Sequence, residues 1–106
     1  MSERFYEIEC VIRYLTTAEG GRRTSVMSGY RGQFHYESDD QAWDGSQYFP
    51  DLSDGVMIEL GTPVRALVRF WYERWEEVHS KRITIGMPFE IREGARIVGR
   101  GTVTKA

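Results

Sequence analysis

The residues that most often bind metals or act as nucleophiles are scarce in this chain. Cys10, His35 and His79 are its only cysteine and histidines, and no CxxC or HExxH spacing occurs. Zinc sites need three or four such ligands, so we expect no metal site. The chain also lacks the GxxxxGK[ST] phosphate-binding loop and the GxSxG nucleophile motif. The sequence therefore predicts a protein that has no cofactor and is not an enzyme.

Carboxylates are abundant, and an acid–base pair could be drawn from them on residue type alone. Asp39, Asp40, Asp51 and Asp54 fall in a polar stretch, where we interpret them as solvated loop charges. His35 lies on the polar face of a predicted strand. There it would titrate near neutral pH or contact a partner, unless it is an ordinary surface side chain.

These residues must be positioned by strands, because no helical stripe stands out and apolar and polar residues alternate with a period of two. The predicted strands are Phe5–Tyr14, Tyr30–Glu37, Val64–Tyr72, Ile83–Ile85, Phe89–Arg92 and Arg96–Thr104. A tight hairpin turn is predicted at Glu93 and Gly94, and a bulge or bend at Gly99 and Gly101.

Two segments between these strands read as irregular structure. Residues 38–55 are rich in Asp, Ser and Gly and predict a long surface loop, which the aromatic side chains of Trp43, Tyr48 and Phe49 would pin to the core. Residues 75–82 are polar and fit either a loop or one helical turn.

Length and composition are those of one globular unit. The 106 residues are 41% hydrophobic and 13% aromatic, which favours a single all-β domain over residues 1–106, a sandwich or barrel. The formal net charge of −2 argues against a strongly basic nucleic-acid-binding domain. No apolar run reaches the roughly 18 residues of a membrane span, and no secretory signal is seen. We therefore expect no membrane partner and a cytoplasmic location.

Three segments stand out together: EGGRRT (residues 19–24), GYRGQF (29–34) and FEIREGARIVGRG (89–101). In this order and spacing they resemble the C-terminal barrel domain, domain 3, of bacterial elongation factor Tu, whose counterparts read EGGRHTPF, GYRPQF and FxIREGGRTVGAGVV. The resemblance spans residues 5–105 and is weakest over residues 38–82. It implies an all-β fold, a six-stranded antiparallel β-barrel, and a binding surface. It does not imply GTPase activity, because the other two domains of that factor are absent from these residues.

In that family the domain contacts the T-stem backbone of tRNA, so the resemblance implies tRNA as a partner. The residues that it assigns to RNA binding are Arg22, Arg23, Tyr30, Arg31, Gln33, Glu93 and Gly94. Such a set suits RNA, because arginines pair with phosphates while amide, backbone N–H and carboxylate groups can reach 2′-hydroxyls. Gly32 stands where the family has proline. Glu37 replaces an arginine, which should lower the affinity for phosphates.

The segment from Trp71 to Lys81 is longer and more aromatic than its counterpart in the family. Trp71, Tyr72 and Trp75 are candidates for binding a protein, although aromatic residues at such positions also anchor loops to the core. The rival hypothesis is thus a mimic or decoy of the barrel, with a competitor or immunity role. It would bind proteins that dock on the elongation factor, such as its exchange factor or a toxin.

Two further hypotheses stay open. The barrel could serve an unrelated binding role through its divergent loops. A lone barrel would also expose surfaces that neighbouring domains cover, which favours self-association into a homo-oligomer.

Overall fold

The computed structural model describes residues 4–106 and places six strands in one antiparallel sheet. The strands are β1 (Phe5–Tyr14), β2 (Gln33–Tyr36), β3 (Ser46–Tyr48), β4 (Val64–Trp71), β5 (Pro88–Glu93) and β6 (Arg96–Lys105). Their order across the sheet is β2-β5-β6-β1-β4-β3. The sheet curls into a half-barrel, which agrees with the predicted all-β class and with the number of strands.

Helical structure is limited to short segments. Helix α1 (Tyr72–Glu77) follows β4 directly, and single 3₁₀ turns occur at Thr17–Glu19 and His79–Lys81. None of the helices in residues 4–106 has the length and apolar character needed to cross a membrane.

Strand β1 forms as predicted, because its alternating residues satisfy two different environments. Of the five side chains that face the core, Tyr6 is partly buried, and Ile8, Cys10, Ile12 and Tyr14 are each at most 1% exposed. On the outer face, acids pair with arginines of β4: Glu7 lies 2.6 Å from Arg69, and Glu9 lies 3.2 Å from Arg65. The acid and the arginine of each pair neutralise each other, so the outer face of β1 and β4 carries little net charge.

The two edge strands of the half-barrel are tied together by two isolated bridges, Tyr30 with Gln47 and Phe34 with Trp43. Their backbone hydrogen bonds are 2.8–3.0 Å long. Gln47 is fully buried at this junction, where its amide nitrogen donates to two backbone carbonyls. Its amide oxygen accepts from the hydroxyl of Tyr14 at 3.1 Å. A buried glutamine is retained here because its polar atoms are hydrogen-bonded.

Three predicted boundaries are wrong. The strand predicted from Tyr30 begins only at Gln33, and the loop predicted over residues 38–55 contains β3. Residues 83–85 form no strand: Ile83 is buried, but Ile85 is 72% exposed. The undecided segment at residues 75–82 is helical, because it contains the end of α1 and the 3₁₀ turn at His79–Lys81. The predicted pinning of the loop is confirmed for Phe49, which is 1% exposed, and for Trp43, which packs against the core, whereas Tyr48 is half-buried outside the core cluster.

The β5–β6 hairpin turns at Gly94 and Ala95, one residue later than predicted. Gly94 has a φ of +62°, the sign that the first central residue of a type II′ hairpin turn requires. The register between β5 and β6 shifts where Ile91 pairs with Gly99 and Arg92 with Ile97, so the extra residue of the bulge, Val98, adjoins Gly99, as predicted. Gly101 is instead required by packing, because a Cβ there would lie 2.4 Å from the ring of Phe89.

Aromatic side chains fill the core beside this hairpin. The ring of Phe34 stacks on Phe89 at 4.8 Å and meets Phe70 edge-on at 5.2 Å. His79 is fully buried against the same cluster, and its Nδ1 lies 2.5 Å from the hydroxyl of Tyr36. Burial lowers the pKa of His79 to about 4, and the charges of Arg82 and Arg74 act in the same direction. His79 is therefore a neutral core residue at physiological pH.

Candidate functional site

Three candidate residues from distant parts of the chain meet at the end of β5. Arg22 and Tyr30 both donate hydrogen bonds to Oε2 of Glu93, the last residue of that strand. The guanidinium of Arg22 also lies 5.0 Å from the centroid of the Tyr30 ring. We call Arg22, Tyr30 and Glu93 the Glu93 cluster.

Contacts within the chain hold Arg22 in place. Gly20 ends the preceding 3₁₀ turn in the left-handed region, with a φ of +93°, which L-residues with side chains avoid. Arg22 then donates from Nε to the carbonyl of Thr24 at 3.1 Å. Two separate contacts thus fix its orientation, one within its own loop and one across the sheet to Glu93.

The ionisation states in the Glu93 cluster follow from these contacts. Burial alone would raise the pKa of Glu93, but the hydrogen bonds from Tyr30 and Arg22 outweigh it and hold that pKa below its usual range. Burial and the bond to Glu93 raise the pKa of Tyr30. At neutral pH Glu93 is thus ionised and Tyr30 is a neutral hydrogen-bond donor. The positive charge of Arg22 is neutralised by its ion pair with Glu93.

Gln33 and Gly94 lie beside the Glu93 cluster. The backbone N–H of Gly94 donates to Oε1 of Gln33 at 3.3 Å, which joins the start of β2 to the hairpin turn. Five of the seven residues that the resemblance assigns to RNA binding are therefore brought together at one end of the sheet.

The remaining two candidates are placed differently. Arg23 follows Arg22 and is exposed. Arg31 is also exposed, but it lines a separate cavity of about 260 Å³, together with Phe5, Tyr48, Arg69 and Trp71. We call this cavity the Trp71 groove. Within residues 4–106, neither Arg23 nor Arg31 makes an ion pair.

The three aromatic candidates for protein binding also lie in different environments. Trp71 is 37% exposed, and its ring lies 4.9 Å from that of Phe5, which is 42% exposed. Trp75 is half-buried and stacks on Tyr6 at 3.8 Å, so it anchors α1 to the sheet. Tyr72 is half-buried beneath the guanidinium of Arg4, at 4.2 Å. Of these three candidates, Trp71 is the one that is exposed and lines the Trp71 groove.

Sequence reasoning missed two residues near this end of the molecule. Arg96 pairs with Glu93 across the hairpin, is exposed, and has no ion pair among the described residues. Its position directly after the predicted turn could have indicated that it lies close to Glu93. His35 was expected on the surface but is only 3% exposed. The outward-facing periodicity of β2 gave no sign that the loop after it would cover this side chain.

No known protein family has a model that matches this chain. Among the residues from Arg4 onward, no three His, Cys, Asp or Glu side chains are grouped in a way that could hold a metal ion.

Replacing Glu93 with glutamine should lower the free energy of unfolding by about 1–2 kcal/mol, because two partly buried donors, Arg22 and Tyr30, lose their charged acceptor. Urea denaturation measures this change. Glu76→Gln is the matched control, since Glu76 is exposed and lies on α1. Equal stabilities for the two variants would show that the Glu93 cluster does not tie the sheet end together.

Proposed function

We propose that this chain is a non-catalytic binding module with the six-stranded barrel fold of elongation factor Tu domain 3. Its ligand is the backbone of tRNA, which it contacts at the end of the sheet that holds the Glu93 cluster. The observation that carries the proposal is the meeting of residues from all three family-like segments in one place.

The distribution of charge supports this location. Arg96 pairs with Glu93 across the hairpin, and Arg23 follows Arg22 in the chain. Both cations are exposed, and the carboxylate of Glu93 is already engaged by Arg22 and Tyr30. Cations without a carboxylate partner are available to phosphates, whereas the paired arginines of β4 are not. Arg23 and Arg96 thus give this end a local positive charge on a protein whose overall charge is −2.

The internal contacts of the Glu93 cluster give it a positioning role in this proposal. Arg22 holds Glu93, and Gln33 holds the turn at Gly94, so the backbone that carries Arg23 and Arg96 is fixed before RNA arrives. Preorganisation of this kind reduces the entropy lost on binding.

Arg23→Ala and Arg96→Ala should each weaken the binding of tRNA several-fold and should reduce the salt slope of the affinity by about one. Fluorescence anisotropy with labelled tRNA over a series of salt concentrations measures both quantities. Lys81→Ala is the charge-matched control, because Lys81 is exposed on the 3₁₀ turn after α1. If all three variants bound alike, or if the wild-type affinity did not depend on salt, the RNA proposal would be wrong.

The Trp71 groove favours a second candidate function, the mimic that competes for a protein partner of elongation factor Tu. Exposed Phe5 and Trp71 lie there beside Arg31, and aromatic and arginine residues are enriched at protein-binding hot spots. The test is competition: increasing amounts of the chain should displace the exchange factor from elongation factor Tu. Trp71→Ala should abolish this effect, and Ile85→Ala, an exposed apolar control, should not.

A further inference from the structure

His35 is a buried histidine whose ring makes no hydrogen bond. The residue is 3% exposed, and neither Nδ1 nor Nε2 has a partner among the described residues. A neutral imidazole carries one donor and one acceptor, and burial without partners is costly. An unsatisfied buried group in a folded protein requires an explanation, and a bound water or ion is one.

A cavity of about 550 Å³ is lined in part by His35, and we call it the His35 cavity. Its polar lining comes from Gln33, His35, Asp40, Arg92 and the backbone of Gly94, and two alanines complete the wall. Gln33 and Arg92 face each other across β2 and β5, as do His35 and Glu90. The cavity therefore stands on paired strands rather than on a loop alone.

Arg92 is positioned so that one side of its guanidinium stays available. Its Nε and Nη2 donate to Oε1 of Glu90 at 2.9 and 2.6 Å, and Arg100 holds the other oxygen of that carboxylate at 3.1 Å. The remaining nitrogen, Nη1, lies 3.6 Å from Asp40, whose side chain is 96% exposed. This separation is longer than a charge-assisted hydrogen bond, so Asp40 is a loosely held neighbour of Arg92.

The free groups in the cavity are mostly donors. They are Nη1 of Arg92, an imidazole N–H of His35 and the amide nitrogen of Gln33, which makes no hydrogen bond within residues 4–106. Donors that converge from several directions match a tetrahedral oxyanion with several acceptor oxygens better than a neutral ligand. Asp40 already brings a carboxylate to the place that such an anion would take on Arg92.

We propose that the His35 cavity binds a phosphate group, which accepts hydrogen bonds from Arg92 and His35 and displaces Asp40. The phosphate belongs either to an RNA backbone or to a free phosphate, because both offer the same oxygens. This inference does not depend on the proposed function, since the donors and the unsatisfied ring are present whether or not the chain binds tRNA.

The first test is a titration of the wild-type protein with inorganic phosphate at constant ionic strength, followed through the ring nitrogens of His35 by NMR. We expect a saturable shift of these signals that chloride does not cause. Asp40→Asn should tighten phosphate binding by up to about fivefold, because it removes the competing carboxylate of an exposed pair. The control is Asp54→Asn, an exposed acid in another loop, which should leave the affinity unchanged.

Absence of a saturable shift, or equal affinities for the two asparagine variants, would overturn the proposal. His35→Phe should abolish phosphate binding, with circular dichroism to verify that it folds. If the His35→Phe variant does not fold, Asp40→Asn still tests the proposal. Asp40 is exposed, so removing its charge should not impair folding. The affinity of the His35→Phe variant for tRNA identifies the source of the phosphate. Weaker binding than wild type assigns the phosphate to the RNA backbone, and unchanged binding assigns it to a free phosphate.

Discussion

Replacing Phe34 with alanine is expected to lower the free energy of unfolding by about 3–5 kcal/mol. Phe34 is fully buried, and its ring packs against Phe70, Phe89 and Tyr36 within 5.2 Å. The loss should be at the upper end of this range, because β2 is only four residues long and Phe34 also carries one of the bridges to the opposite edge. A cavity at this place weakens both the core and the junction of the edges. Urea denaturation followed by circular dichroism measures the change.

Phe5→Ala is the matched control for this prediction, because the same side chain is removed from a position that is 42% exposed. Its expected cost is about 1 kcal/mol or less, as for other substitutions away from the core. Similar losses for the two variants would show that Phe34 is not central to the packing described above.

Acidification is expected to remove about 3 kcal/mol of stability through His79 alone. The pKa of His79 is lowered from 6.5 to about 4 in the folded protein, first by burial and then by Arg82 and Arg74. Between these values the unfolded chain binds more protons than the folded one, so stability falls as the pH falls from 6.5 and levels off below 4. A difference of 2.5 pKa units, at about 1.4 kcal/mol each, gives this magnitude.

Urea denaturation at a series of pH values tests this prediction. The range between pH 6.5 and 5 is the most informative, because carboxylates titrate mainly below it. His79→Gln should flatten the pH dependence there. His35 adds a smaller change of the same sign, since burial and Arg92 lower its pKa as well, and His35→Gln measures that share. An unchanged slope in His79→Gln would mean that the buried imidazole does not control acid stability.

The long strands could be predicted from the sequence because their periodicity is repeated many times. The ten residues of β1 offer five inward positions, and its observed bounds are those predicted. β3 was missed because it has only three residues and its one buried side chain, Gln47, is polar. Such a segment shows no alternation of apolar and polar residues. The strand predicted at residues 83–85 rested on two isoleucines, and a pattern that short does not distinguish a strand from a turn.

The candidate site was predictable in its composition but not in its connections. The segments around Arg22, Tyr30 and Glu93 were recognised as a set, and the structure brings these three residues together. That Glu93 would neutralise Arg22 depends on two residues 71 positions apart, which local patterns cannot relate. The placement of Arg31 in the Trp71 groove depends on the curl of the sheet, which single-strand periodicity does not describe.

The position of β6 has a consequence for how the protein is made. β6 is the last of the six strands to be synthesised, yet it lies between β5 and β1 near the middle of the sheet. Without β6, the pair β2 and β5 would be joined to the three strands β1, β4 and β3 only through the two bridges between the edges. A nascent chain must hold both groups of strands with their apolar faces uncovered until residues 96–105 have left the ribosome, a state prone to aggregation. Refolding is accordingly expected on the millisecond-to-second scale of proteins dominated by non-local strand pairing.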